Sequence, residues 1–538
     1  MSRSQTDASR DQGVVDKGCL PAWTSEDLPA PSPFRFRNLL GMIGPGLVLA
    51  GGAIGTGEFV MGPKSAAQYG GALLFVVILS ILAQVILNTE VQRYTLVTGE
   101  PIMTGFMRSR PGPRFWIIFY LLLDVGSWWP AQAMLAAQIM VIMWHNLGPT
   151  ADIAPYTNQI LGVSYGVFVL CGILPLFGGK IYNMVSAVIS GKFLLTLFFM
   201  LFVGIFFVSA QVWWHVWSGL FDVTRLPRDV TTGEAYVDWA LVSALVAYAG
   251  VGGMGNVLAS NFIREKGWGM GSKVGAIPSA IGGRNIKLSH IGSMPPADRE
   301  NLGRFREWMK YVRVDQYLFW ACGSLVAMML PCMVGLQYLN VNSLKDAGAW
   351  QWAAAVARDF RAGAAARTDT LAHAVFPGWF NNDVLIPAVS IGLLIMGLII
   401  MIPGQFYTVD VTARRWTDAL WSGLESARKL QTNRVRHFYY SFAFLYLLLC
   451  MVWLTVALVR PDLNPTNMLK IAGAMANFAI AATILHTLYV NHRFLPRPYR
   501  PGLFKSAGLV VSACFFLVMF GLVANQQLVP LLKKMAGY

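Results

Sequence analysis

The chain reads as an all-α integral membrane protein of about eleven transmembrane helices, ten of them forming two inverted halves. Three observations predict this. Its 538 residues are 55% hydrophobic and only 13% charged, with a mean hydropathy of +0.51, whereas a soluble domain carries roughly a quarter charged residues. The apolar residues gather in runs close to the roughly 20 residues that cross a bilayer core. One glycine motif also occurs twice inside such runs, as Gly55-Thr56-Gly57-Glu58 and Gly253-Met254-Gly255-Asn256.

The runs lie near 39–62, 71–97, 114–145, 160–178, 183–210, 237–262, 314–339, 383–409, 437–459, 467–491 and 504–530. Residues 1–37 precede them as a polar tail, expected to be disordered and cytoplasmic. No apolar stretch follows Met1, so no secretory signal peptide is expected there. Residues 38–211 hold the first five spans. Residues 212–491 hold the next five, with a cytoplasmic loop at 263–313 and an external loop at 340–382. Residues 492–538 hold the eleventh helix and the C-terminus. Pro130 predicts a kink in span three, and Asp238 and Asp383 read as N-caps of spans six and eight. In the loops, Ala349 to Ala365 has the helical spacing of an external helix. Asp298 to Tyr311 interleaves Leu302, Phe305, Trp308 and Met309 with charges, as in an amphipathic helix lying on the membrane surface. The Gly- and Ser-rich stretch 267–294 reads as a flexible loop.

Charge sets the orientation. Lys and Arg crowd the N-terminal tail and the loops after spans two, six, eight and ten, including Arg108, Arg264, Arg414 and Arg415; segment 146–159 has none. The positive-inside rule puts the N-terminus in the cytoplasm and, after eleven spans, the C-terminus outside. The membrane expected is the bacterial cytoplasmic one. The net charge of +15 is then topological, and no nucleic-acid partner is expected. Six scattered cysteines form no metal-ligand spacing and no disulfide framework. No Ser/His/Asp set, nucleotide-binding loop or HExxH stands in the chain, so neither an enzyme nor an ATP-driven pump is expected.

The paired motifs carry the chemistry. A carboxylate in a membrane span is costly and functional by default. Glu58 lies in Ala50-Gly-Gly-Ala-Ile-Gly-Thr-Gly-Glu58, where glycines ease a helix break and let a ligand come close. An odd number of helices per half inverts the second half, and matching glycine-interrupted spans point to the binding site. A break frees carbonyls for a cation and half-helix N-termini for an anion. Gly55, Thr56, Glu58, Gly253, Met254 and Asn256 are therefore the candidate substrate or ion contacts. As metal ligands, Glu58 would supply hard oxygen and Met254 soft sulfur. Glu58 reads alternatively as a helix-capping acid, Met254 as packing, and Thr56 and Asn256 as local hydrogen-bonding groups.

Two further charges stand inside spans. Asp124, in span three, can exchange protons or serve as a structural acceptor. Lys192, in span five, is roughly 13 Å from the cytoplasmic end at 1.5 Å per residue. It is too deep to snorkel and should pair with an acid, Asp124 or Glu58, or with carbonyls. Both are read as a proton or charge relay. Glu90 and Arg93 read as an i,i+3 ion pair. Gln405, Asn477 and His486 read as interhelical hydrogen-bonding groups.

Gly44-Pro45-Gly46-Leu47, the motif that follows it, Ala67-Gln-Tyr-Gly-Gly-Ala-Leu-Leu74 and Val97-Thr98-Gly99 together resemble the start of the Nramp-type divalent metal transporters. The likeness runs from about residue 38 to 525 and is strongest at its start. It implies the LeuT-like fold of the amino acid–polyamine–organocation superfamily, two inverted five-helix repeats plus one helix, and proton-linked uptake of transition metals. The departures fall at the site. The family's Asp-Pro-Gly-Asn reads Gly55-Thr56-Gly57-Glu58 here, and its Met-Pro-His reads Met254-Gly255-Asn256. Of its acidic pair in the third helix, Asp124 matches the first acid and Ser127 replaces the second. In the wider superfamily a fifth-helix lysine can stand in for a coupling sodium, which for Lys192 implies proton rather than sodium coupling.

The function expected is proton-coupled, secondary-active uptake of a divalent cation by alternating access, with no resident cofactor. The partners expected are the bilayer and a small cation or small-molecule substrate. The competing expectation is a proton-coupled symporter of an organic solute such as an amino acid, favoured by the lost ligands and by Lys192.

Overall fold

The computed structural model describes residues 16–529, apart from 43, 129, 149–150, 152–153, 178, 225–226, 229–236, 282–285, 340–351, 377–383 and 460–464. Among the described residues nine helical segments are long and apolar enough to cross a membrane: Phe75–Thr98, Ala154–Leu176, Ile181–Phe207, Trp239–Lys266, Arg299–Tyr338, Leu385–Gly423, Thr432–Val456, Ala472–Phe494 and Leu503–Gln526. They match the expected spans two and four to eleven. Spans one and three are each split into shorter helices.

The splits follow from local sequence. Span one runs as Pro45–Ala53, where Pro45 occupies the first helical turn and needs no amide partner there. Ile54 then turns extended, at φ −62° and ψ 107°. The chain resumes as a wide turn over Gly57–Met61 and a helix over Gly62–Tyr69. Span three runs as Pro113–Asp124, a tight turn at Val125–Ser127, and Ala131–His145 after Pro130, a full break where a kink was expected. Span six is helical over Trp239–Tyr248, with Asp238 capping Leu241 N at 3.1 Å. It restarts at Gly253 after Gly252, whose φ of +73° suits glycine, and continues to Lys266. Asp383, the other expected cap, lies outside the described residues.

Several expectations for the segments read as cytoplasmic need correction. The tail is not free over its described part. Thr24–Ser25 pairs in parallel with Ser293–Met294, Leu20 and Leu28 are buried, and Trp308 Nε1 donates to the Pro29 carbonyl at 2.7 Å. Stretch 267–294 is packed as well: Trp268, Met270, Ile277 and Leu288 are buried. The helix expected on the membrane surface, here Arg299–Arg313, runs without interruption into span seven. The tail and Tyr499 cover its apolar face, so that face meets protein instead of lipid. Span eight extends to Gly423, which places Arg414 and Arg415 inside a helix rather than in a loop. In the loop read as external, Trp352–Ala366 is the expected helix, with residues 349–351 outside the described residues.

Ion pairs explain the buried arginines. Arg108 meets Glu100 at 2.5 Å, Arg264 meets Asp418 at 2.7 Å, and Arg414 meets Glu265 at 2.8 Å and Asp410 at 2.9 Å. Arg264–Asp418 and Arg414–Glu265 fasten the second half of span six to span eight, and Arg414–Asp410 lies within span eight. A buried charge persists only when paired and hydrogen-bonded.

Candidate functional site

The breaks of spans one, three and six open on one cavity of about 140 Å³. Gly52, Ala53, Gly55, Thr56 and Gly57 of span one line it, with Gly250 to Gly253 and Gly255 of span six. Span three contributes Leu123, Gly126, Ser127, Ala131 and Gln132. Span eight contributes Tyr407, Thr408, Val411 and Arg415, and span ten Ala472 and Ala476. Two glycines are required by close approach. A Cβ on Gly52 would lie 2.2 Å from the Tyr407 ring, and one on Gly57 would lie 2.3 Å from Tyr248 Cβ. Both tyrosines line the cavity, so the glycines let aromatic faces close over the breaks.

The expected site residues divide in two. Gly55, Thr56 and Gly253 line the cavity; Glu58, Met254 and Asn256 are buried behind its wall. Glu58 Oε2 accepts the Gly55 amide at 2.8 Å, which caps the second half of span one. Its other oxygen, Oε1, is buried with no hydrogen-bond partner among the described residues. Asn256 Nδ2 donates to Gln84 Oε1 at 2.9 Å.

Lys192 is buried and its Nζ donates to the Ile54 carbonyl, a group freed by the break in span one. An ammonium at the C-terminal end of a half-helix also meets the negative pole of its dipole. Lys192 and Glu58 lie within electrostatic reach of each other. Asp124 is not the partner of Lys192. Arg415 Nη2 holds it at 2.6 Å, and Trp416 Nε1 donates to it at 3.0 Å. Glu90 and Arg93 do pair, at 2.6 Å.

Sequence reasoning missed Arg415, Gln132, Tyr248 and Tyr407. The signals were faint: Arg415 sat in an apparent loop cluster, and Gln132 lay just past Pro130 where only a kink was expected. Among the described lining residues Arg415 alone carries a charge. No group of three or more His, Cys, Asp or Glu side chains is placed to hold a metal among the described residues.

Broken helices that meet at one cavity inside a helical membrane bundle are an arrangement that secondary transporters use. No family model matches the chain. A divalent metal cation transporter MntH of Staphylococcus aureus strain Mu3 is 28% identical over 179 residues, covering 33% of this chain and 36% of that protein. The MntH of strain JH9 is 36% identical over 90 residues, covering 16% and 20%. The chain thus spans about a third or less of the length of these curated relatives. A manganese transporter of Eremococcus coleocola, solved with an aromatic bis-isothiourea compound, superposes with a TM-score of 0.61 at 12% identity over 96% of this chain and 90% of that one. The MntH matches agree with the Nramp-type resemblance of the span-one motifs, and the solved structure shares the fold.

Proposed function

We propose that this protein is a secondary-active transporter that moves a divalent metal cation by alternating access, driven by protons. The observation that carries the reading is Glu58. It is a carboxylate with one unpartnered buried oxygen, placed at the break of span one where backbone carbonyls are also freed. The MntH relatives are metal transporters by name, which agrees. In the described arrangement Glu58 caps its own half-helix. Swinging the first half of span one away would release Oε2 together with Gly55 and turn both oxygens toward a cation. Asp124 would carry the proton, because protonating it breaks its pair with Arg415. The ion pairs between spans six and eight are the closures to be opened on the cytoplasmic side. The remaining Lys and Arg of that side, Arg428, Lys429, Arg434 and Arg436 among them, support a cytoplasmic N-terminus in a bacterial inner membrane.

A second reading, an organic-solute symporter, is favoured by one observation: the described cavity wall bears a guanidinium and no carboxylate. Proteoliposome uptake separates the two. Mn²⁺, Mg²⁺, Ca²⁺ and a panel of amino acids are compared with and without an inward proton gradient. Gradient-stimulated Mn²⁺ uptake, abolished in Glu58→Gln, is expected. Amino acid flux with no cation flux would remove the first reading.

A further inference from the structure

We propose that the cavity is a second binding site, separate from the cation position at Glu58, and that it takes a small carboxylate solute anchored by Arg415. The inference rests on the transport reading above and adds a co-substrate to it. Three features of the cavity converge. First, its charged wall is cationic. Arg415 is 2% exposed and lines the cavity. Its Nε and Nη2 go to Asp124 and Thr412, while Nη1 makes no hydrogen bond among the described residues. A guanidinium has five donors in a fixed fork, so two N–H groups remain for an anion.

Second, Tyr407 is 4% exposed and its Oη has no hydrogen-bond partner among the described residues. A buried unpaired hydroxyl is costly, and a ligand oxygen in the cavity that Tyr407 lines would satisfy it. Third, two helices start on this wall, at Gly253 and Ala131. Their first amides lack partners within the helix, and their dipoles favour negative charge. At span one that position is already taken by the Glu58 carboxylate, and in span three the Ala133 amide goes to Gln405 Oε1 at 3.2 Å, so the start at Gly253 is the one that a ligand carboxylate would fill. A carboxylate meets the guanidinium, the hydroxyl and the amides, with Gln132 and Thr56 available to its other polar atoms. The volume of about 140 Å³ is well above the roughly 10–15 Å³ that one water needs, so a small carboxylate such as acetate, glycine or lactate fits.

The test is calorimetric titration of the purified full chain with acetate, glycine and lactate, and separately with Mn²⁺, alongside uptake of radiolabelled carboxylate and of Mn²⁺ by proteoliposomes. At least one carboxylate is expected to bind. Arg415→Gln should weaken it by about tenfold or more, the scale of a lost charge-assisted hydrogen bond, and Tyr407→Phe by a smaller factor. If Arg415→Gln does not fold, Tyr407→Phe decides, because it removes one oxygen and leaves the ring over Gly52. No carboxylate binding by folded protein, or binding unchanged in Tyr407→Phe and in any folded Arg415 variant, overturns the inference. Mn²⁺ uptake without carboxylate binding sinks this proposal and leaves the cation reading standing. Carboxylate binding and uptake without Mn²⁺ flux does the reverse.

Discussion

Glu58 and Lys192 are the sharpest test of how the break in span one is held together. Lys192→Met removes an ammonium that donates to the Ile54 carbonyl and leaves Glu58, which is 1% exposed, without the cation in its electrostatic reach. A hydrogen bond to a charged group contributes about 1.5–3 kcal/mol. The single substitution should therefore destabilise the protein by about 1.5 kcal/mol or more. Glu58→Gln keeps an acceptor for the Gly55 amide, so its direct loss is smaller, but it strands Lys192 in turn. In the double variant neither charge is stranded. Its destabilisation should fall short of the sum of the singles by about 1 kcal/mol or more. The assay is denaturant unfolding of the four proteins in one detergent, read by near-UV circular dichroism. If the double equals the sum within about 0.5 kcal/mol, the range for independent sites, the two charges do not act on each other and the paired reading of the break is wrong.

Three other outcomes follow from the same geometry. Arg108 donates to Glu100 and to the carbonyls of Lys17 and Pro21, and its guanidinium lies 3.7 Å over the Trp23 ring. Arg108→Ala should free the tail, and limited proteolysis within residues 16–33 should speed up by tenfold or more, the factor given by about 1.4 kcal/mol; an unchanged cleavage rate refutes the anchoring. Burial pushes the Glu100 carboxyl up, but Arg108 and the Gly292 amide outweigh it and hold the group below the ordinary carboxylate value. A group depressed on folding adds stability above its unfolded value, near pH 4, and that stability is lost as pH falls through the folded value. Wild type should thus lose stability over that acid window while Glu100→Gln, less stable at neutral pH, shows a flatter profile in thermal melts. Gly57→Ala should abolish uptake, because its methyl would sit 2.3 Å from Tyr248 Cβ and 3.0 Å from the Tyr248 carbonyl. Gly166→Ala, with nothing within 4 Å of the added carbon, is the matched control and should transport normally.

How much of this was legible before the structure depends on what each residue's signal rests on. Span positions were readable because apolar length is a local property tied to the bilayer. The glycine breaks were readable because the backbone chemistry of Gly55, Gly57, Gly252 and Gly253 is local too. The burial of Arg414 and Arg415 was not. In sequence they sit beside Arg428 and Lys429, and only contact with Glu265, Asp410 and Asp124 separates a buried ion pair from a loop charge that sets topology. The tail misled in the same way. Residues 16–33 are polar and rich in proline, yet they are held by donors from elsewhere in the chain, such as Arg108, Trp308 and Tyr311. The break in span three matters most for function. Pro130 signalled a bend, but the bend becomes a third wall of the cavity only because spans one and six are interrupted beside it. With Glu58 turned back onto Gly55 and Arg415 facing the cavity, the protein separates negative and positive charge across the wall of span one. Two ligands of opposite sign, one on each side of that wall, would use both charges, whereas a lone divalent cation would use Glu58 and leave Arg415 to its pair with Asp124.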